Sequence, residues 1–201
     1  MQTPQDPVDF TLARQAASLT LGALIGLRVR CHPERIAVEE NGRQLSYRVL
    51  DERSNRLGHL LAERGVRRGD RIAILSENRS EYIELLVAAA RLGVIAACQN
   101  WRQSDQELRH CLALVTPRLI LVSPRHADLA ARYADIAPHL VFGPDYEQAL
   151  AAAPQHAIED RCDPEDGVVI LYTSGTTGMP KGALISQRAE VARAMVQMID
   201  I

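Results

Sequence analysis

Lysine is almost missing from this chain. Of its 23 Lys+Arg residues only Lys181 is a lysine, so nearly all positive charge is carried by arginine. Aromatic residues are scarce as well, at 4%, with one Trp and two Phe. Any core must therefore be largely aliphatic. The four cysteines, Cys31, Cys98, Cys111 and Cys162, show no C-x-x-C spacing. They read as reduced thiols of a cytosolic protein. Cys98, His110 and Cys111 could be imagined as a metal site, but they read better as separate helix and strand residues. There is no basic stripe, and a net charge of −2 argues against nucleic acid as a partner. The first residues have neither a basic n-region nor an apolar h-region, so no secretory signal is visible. The longest early apolar stretch, residues 19–29, is too short to span a bilayer and ends in arginine.

What is present is a pattern of alternating elements. A chain of 201 residues with 47% hydrophobic content can bury a core, as one domain or two small subdomains. Residues 19–30 read as a short amphipathic helix on its own domain, with a membrane-surface helix as the alternative. Asn41-Gly42 between two strand-like runs, 36–40 and 43–47, predicts a hairpin. Leu50, Leu57, Leu60 and Leu61 share one face of a helix over 48–64, and Gly65 is placed to cap it. Strands are predicted at 71–75, 94–98, 118–122 and 139–142. Helices are predicted at 80–92, closed by Gly93, at 126–136 and at 145–152. Ser104-Asp-Gln-Glu107 has capping-box form and opens a further helix to about Val115. Residues 154–167 read as a surface connection. Alternation at this spacing predicts an α/β fold with parallel or mixed sheets and flanking helices.

One stretch carries unusual chemistry. Val168 to Tyr172 reads as a buried strand, and a second apolar run resumes at Ala183 to Ile185. Between them Thr173, Ser174, Thr176 and Thr177 offer four hydroxyls. Gly175, Gly178 and Gly182 allow positive φ and a close ligand approach to backbone N–H groups. Pro180 fixes φ just before Lys181 and helps aim it. Lysine is a compact point charge suited to phosphate contact in a tight loop. Hydroxyls, free amides and one ammonium suit a polyphosphate, because they orient and neutralise oxyanions without supplying a nucleophile. The loop departs from a Walker A pattern, in which Lys directly follows Gly and a helix opens behind it. A mobile Gly/Thr-rich linker is the plainer alternative.

The string Thr-Ser-Gly-Thr-Thr-Gly-Met-Pro-Lys-Gly, residues 173–182, resembles at every position the phosphate-binding signature of the adenylate-forming enzymes, which include acyl-CoA synthetases, luciferases and peptide-synthetase adenylation domains. Residues 65–75 are similar to the family's helix-to-strand passage. Asn100-Trp-Arg102, followed by the Ser104 helix, is similar to an element frequent in acyl- and aryl-CoA synthetases, although Trp101 would also serve as a core aromatic. Many relatives have His where this chain has Gln187, which puts any ligand or helix-start role of that His in doubt here.

The resemblance implies the N-terminal part of a large adenylation domain over residues 15–201, after a poorly ordered tail at 1–14. It implies ATP, Mg²⁺ and coenzyme A as cofactors or substrates, with Thr173, Ser174, Gly175, Thr176, Thr177, Gly178 and Lys181 holding the ATP phosphates. None of these is a general acid, base or nucleophile. The implied activity is ATP-dependent ligation of a carboxylic acid, fatty, aryl or other, to coenzyme A in the cytoplasm. The family's acyl pocket, Mg²⁺ and ribose contacts and lid lysine would lie beyond residue 201. The last helix sets Val191, Met195, Met198 and Ile199 on one face and ends without a capping residue, which reads as a chain that continues. These 201 residues are then expected to be inactive without the remainder of their own polypeptide, with homo-oligomerisation open. The alternatives are a non-catalytic truncated relative that binds nucleotide or a partner, and an unrelated NTPase with an atypical phosphate loop.

Overall fold

The computed structural model describes residues 18–160, 162–173 and 178–199, with backbone alone for 197–199. The expected N-terminal tail, 1–14, lies outside the described residues.

Helix α1 (Leu21–Cys31) is capped by Thr20, whose hydroxyl accepts from Ala23 N at 3.0 Å. Asn41 and Gly42 take φ of 50° and 81°, the positive values that close a tight hairpin between β1 (Ile36–Glu40) and β2 (Arg43–Ser46). Helix α2 (Tyr47–Glu63) starts one residue earlier than its periodicity suggests, because Ser46 serves as N-cap. It ends at Gly65, φ 81°.

A six-stranded sheet follows, built from β3 (Arg71–Leu75), β4 (Ile95–Cys98), β5 (Leu119–Val122), β6 (His139–Val141), β7 (Gly167–Thr173) and β8 (Lys181–Ser186). Its order is β6-β5-β3-β4-β7-β8. All neighbours are parallel except β7 and β8, which form an antiparallel pair. The connecting helices are α3 (Ser80–Leu92), α4 (Asp105–Val115), α5 (Ala127–Ala131), α6 (Pro144–Ala152) and α7 (Gln187–Ile199).

Two cores form on opposite faces. Leu57 and Leu61 of α2, Leu85 and Ala89 of α3, and Tyr146 and Leu150 of α6 pack on Ile72, Ile74, Ala96 and Leu121. Leu108 and Leu112 of α4 pack with Tyr133 on Ala73, Leu75, Ile120 and Val122. Each Leu, Ile or Val side chain among them, taken fully from water, contributes roughly 1.5–3 kcal/mol. Alternation along β3 thus sends successive residues to different helix layers, as a sheet covered on both faces requires.

Two expectations need correction. The helix predicted over 126–136 is a 3₁₀ turn, Pro124–His126, followed by only Ala127–Ala131. Beyond it the backbone tightens into i→i−3 bonds, Arg132 N to Leu129 O and Tyr133 N to Ala130 O. This turns the Tyr133 ring into the core, where its hydroxyl donates to Asp105 Oδ1 at 2.9 Å. The connection expected on the surface also reaches inward. Ile158 lies against Gly58, where a Cβ would come within 2.1 Å of Ile158 Cδ1. Asp160 accepts from the Thr20 hydroxyl at 2.6 Å and occupies the space beside Gly22.

Polar groups tie the layers. Arg53 Nε donates to Glu84 Oε1 at 2.6 Å, and its two terminal nitrogens donate to Glu147 at 2.8 and 2.7 Å. The Glu84 side chain is 0% exposed and also accepts from the Tyr146 hydroxyl at 2.8 Å. Gln187, fully buried, accepts from Leu21 N at 2.9 Å and donates to Ala90 O at 2.8 Å. It therefore joins the starts of α1 and α7 to the end of α3, a structural role that leaves no free polar atom on its side chain for a ligand.

Neighbouring residues of α2 should respond in opposite directions. Arg53→Ala strands the buried Glu84 carboxylate and should cost about 3–5 kcal/mol at pH 7 by urea unfolding. Burial already holds the Glu84 carboxyl above its ordinary value, against the pull of Arg53. Without Arg53 it rises further, so the folded variant binds a proton that the unfolded chain releases, and the deficit relative to wild type should narrow as pH falls toward 5. A deficit that widens on acidification would refute this. The Ser54 hydroxyl is buried and has no hydrogen-bond partner among the described residues. Ser54→Ala should be neutral or stabilise by about 1 kcal/mol. Gln187→Leu should cost about 2–4 kcal/mol, since it leaves the Leu21 N–H and the Ala90 carbonyl unpaired; an unshifted urea midpoint would count against that tie.

Candidate functional site

The strand order creates a crevice. From β3 the chain crosses through α3 to β4 on one side; from β4 it crosses back through α4 to β5 on the other. Right-handed crossovers in opposite directions put α3 and α4 on opposite faces. From β5 the chain continues in that second direction to β6, so the neighbours β3 and β5 send their connections to opposite faces, and their C-terminal ends are the topological switch point, where open parallel sheets bind ligands. Residues 76–78 follow β3 there, and residues 99–102 follow β4.

Strand β7 lies beside β4, with Ala96 opposite Val169 and Ala97 opposite Ile170. Its C-terminal end therefore reaches the same rim. Thr173 and Lys181 are the last paired residues of the β7–β8 ladder, face to face across the mouth of the loop. Both are exposed, and Lys181 has no carboxylate partner among the described residues. Gly178 has φ 92°, with open space where a Cβ would be, so backbone conformation alone demands glycine there. Ser174, Gly175, Thr176 and Thr177 lie outside the described residues. Gly182 differs from expectation. It is an ordinary strand residue of β8, without positive φ, and a Cβ there would press within 3.1 Å of Ile170 Cγ2.

The loop's stems rest on α4. Tyr172 donates its hydroxyl hydrogen to Cys111 O at 3.2 Å and accepts from Gln99 Nε2 at 2.9 Å. Burial pushes the Tyr172 phenol up to about 12, so it keeps this hydrogen at neutral pH. On the other stem, His110 Nε2 lies 3.2 Å from the carbonyl of the buried Pro180. Cys98, His110 and Cys111 thus have separate partners: Cys98 Sγ faces Ala96 O and Cys111 Sγ faces Gln103. Burial raises both thiols. Among the described residues no group of three or more His, Cys, Asp or Glu is placed to hold a metal ion.

At the switch point, Trp101 does more than fill the core. It stacks on His126 with ring centroids 5.0 Å apart, and the guanidiniums of Arg102 and Arg125 lie 4.3 and 5.3 Å from its ring. Asn100 Oδ1 accepts from Arg102 N at 3.1 Å and fixes the turn. Glu77 accepts from Ser123 Oγ at 2.7 Å and lies 3.5 Å from His126 Nε2. Burial opposes its ionisation, but these partners outweigh it and hold the carboxyl below its ordinary value. The sequence signal for Glu77, Gln99 and Ser123 is their position just past strand ends. Nothing local signals the contacts of His110 and Tyr172, which join residues 70 and 61 positions away.

Residues 27–200 match the family described as AMP-binding enzyme. The 3-oxocholest-4-en-26-oate–CoA ligase of Rhodococcus rhodochrous is 32% identical over 184 residues, 83% of this chain and 33% of that protein. The feruloyl-CoA synthase of an Amycolatopsis species is 36% identical over 182 residues, again 83% of this chain and 33% of that protein. A fatty acid–[acyl-carrier-protein] ligase of Streptomyces coeruleorubidus is 30% identical, with 85% and 33% covered. The chain thus spans about a third of the length of these relatives. Among solved structures, a long-chain-fatty-acid CoA ligase from Rhodopseudomonas palustris superposes with a TM-score of 0.79 at 29% identity, over 91% of this chain and 48% of that one. ATP-bound MatB from the same organism gives 0.75 at 30%, over 91% and 37%. With a glycine- and threonine-rich sequence between β7 and β8 at the C-terminal rim of a mixed six-stranded sheet, and this match along most of its length, the chain belongs to the AMP-binding enzyme family.

Proposed function

We propose that the 173–181 loop binds the β- and γ-phosphates of ATP in an enzyme that activates a carboxylic acid as its acyl-adenylate and passes the acyl group to coenzyme A. The observation that carries this is the pairing of Thr173 with Lys181 at the ligand-binding rim, with Gly178 in a left-handed conformation between them. A carboxylate oxygen attacks the α-phosphorus, and the bond from that phosphorus to the pyrophosphate oxygen breaks. The thiol then attacks the acyl carbon and AMP leaves. The first step needs the departing pyrophosphate aligned and its charge stabilised. Thr173, Ser174, Thr176 and Thr177 hydroxyls, Gly175 and Gly178 amides and the Lys181 ammonium suit that task as binding groups; none acts as acid, base or nucleophile. Mg²⁺ would neutralise charge on the same phosphates; among the described residues no group of three or more His, Cys, Asp or Glu is placed to hold it.

The relatives' named substrates support a thioester-forming ligase rather than one particular acid. They name 3-oxocholest-4-en-26-oate, feruloyl and fatty-acid groups, with coenzyme A as acceptor in two and an acyl-carrier protein in one. A cytoplasmic location is part of the same proposal; no helix among the described residues is long and apolar enough to cross a membrane.

In the longest natural form of the protein, Lys181→Ala should slow ATP–pyrophosphate exchange by about 10²-fold or more, the usual cost of removing one preorganised charge-stabilising donor. Lys181→Arg should recover part of the rate. Exchange at the wild-type rate in Lys181→Ala would sink the assignment.

A further inference from the structure

We propose that α4 is the fixed support of the phosphate loop, and that His110, Tyr172 and Gln99 are positioning residues pinning the loop's two stems to it. Cys111 and His110 are successive residues of one helix, yet they engage opposite stems. The Cys111 carbonyl accepts from Tyr172 at the end of β7, and His110 bonds the Pro180 carbonyl at the start of β8. The Pro180 carbonyl belongs to the peptide unit that leads directly into Lys181, so this bond holds the backbone from which the ammonium projects. Gln99 closes the set from behind. Its Nε2 donates both to Ala97 O at 3.2 Å and to the Tyr172 oxygen at 2.9 Å.

Donor and acceptor roles fix the network uniquely. Carbonyls of Ala97, Cys111 and Pro180 can only accept. Gln99 must therefore present its NH₂, Tyr172 must donate to Cys111, and His110 must carry a hydrogen on Nε2. Both the Nε2–H tautomer and the imidazolium meet that last requirement, so protonation of His110 does not break the anchor. The support itself is rigid. Ser104 and Glu107 form a reciprocal capping box at the start of α4, and Leu108, Cys111 and Leu112 are 0% exposed.

The hairpin needs such a support. Strand β8 is the sheet edge, and Lys181, Gly182, Ala183 and Leu184 are all exposed. Thr173 with Lys181 is the last pair of the ladder, the place where an edge strand frays first. A loop that stabilises developing charge works by holding its donors in place before the reaction. Pinning both stems to one helix supplies that order without adding a group that touches the nucleotide.

The catalytic consequence rests on the phosphate-loop reading, whereas the anchor does not, and the test separates them. Tyr172→Phe, His110→Ala, their double variant and His110→Gln, whose side-chain amide can still donate to Pro180 O, would be compared in the longest natural form of the protein. Amide hydrogen exchange is followed at Met179 and Lys181 without nucleotide, alongside the thermal midpoint and the rate of ATP–pyrophosphate exchange. Each deletion should speed stem exchange roughly three- to tenfold, the modest worth of one neutral hydrogen bond, with the thermal midpoint little changed. His110→Gln should restore protection. ATP–pyrophosphate exchange should fall in the maximal rate more than in the apparent ATP affinity. Should the double variant fail to fold, Tyr172→Phe alone decides. Wild-type protection in the deletion variants, or no rescue by His110→Gln, overturns the anchor. Faster stem exchange with unaltered ATP–pyrophosphate exchange upholds the anchor but overturns its positioning role in the reaction, whereas the phosphate-loop reading itself fails only if Lys181→Ala also carries out ATP–pyrophosphate exchange at the wild-type rate.

Discussion

The pairing of β4 with β7 is the interaction on which the rest of the structure depends. The two strands lie about seventy residues apart in sequence, so bringing them together carries the loop-closure cost of a long non-local contact. Small residues make the pairing close. Ala96 and Ala97 stand opposite Val169 and Ile170, and Ala90 of α3 forms a buried cluster with Val168 and Val169. Once β7 is seated, Tyr172 near its end lies against Gln99 and the Cys111 carbonyl of α4. Gln187 closes the same region from the far side by bonding Ala90 and the first residue of α1.

The arginine bias has a physical explanation in these contacts. Arg56 Nη1 reaches the carbonyls of Leu150, Ala151 and Ala153 and so caps the C-terminal end of α6. Arg71 does the same for α4, donating from Nε to Val115 O at 2.6 Å and from Nη2 to Thr116 O at 3.3 Å. Arg91 bridges Asn55 and Asp51 with two nitrogens. A planar fork with five donors can bond several fixed acceptors at once; a single ammonium on a flexible stem cannot hold that geometry. Structural sites therefore favour arginine, and the one lysine falls where a mobile point charge is useful, exposed at the loop mouth.

How much of this was legible in the sequence depended on whether the signal was local. The Asn41-Gly42 turn, the Ser104 capping box and the Gly93 stop appear where the sequence puts them, because each acts within a few residues. The helix over 126–136 failed because its apolar spacing was real but served a different geometry, in which Tyr133 turns inward to reach Asp105. Residues 158–160 looked like surface because their polarity is matched by partners far away, Thr20 and Asn55, and by the absence of a Cβ at Gly22 and Gly58. The loop's composition of hydroxyls, glycines and one lysine is a local feature of residues 173–182. Its support is not, since His110 carries no local mark that its partner is the carbonyl of Pro180.

That division is what the proposed phosphate-binding role of the loop would require. Its glycines buy conformations that other residues resist, and Gly178 uses one of them, at a cost in chain entropy on folding. In such a role the hydroxyls and ammonium would have to stay open to solvent until a ligand arrives, so they could not fasten the loop by bonding to protein. Order must therefore come from the stems, through side chains that do not touch the ligand. The stems are only two residues wide at the rim, Tyr172 with Thr173 and Pro180 with Lys181. One residue of each pair, Tyr172 and Pro180, faces α4, and the other is left free at the mouth. Strand alternation divides the work in this way. A one-residue slip of β8 would turn Lys181 toward the helix and Pro180 toward solvent, so the register that buries Pro180 is also the register that presents the lysine.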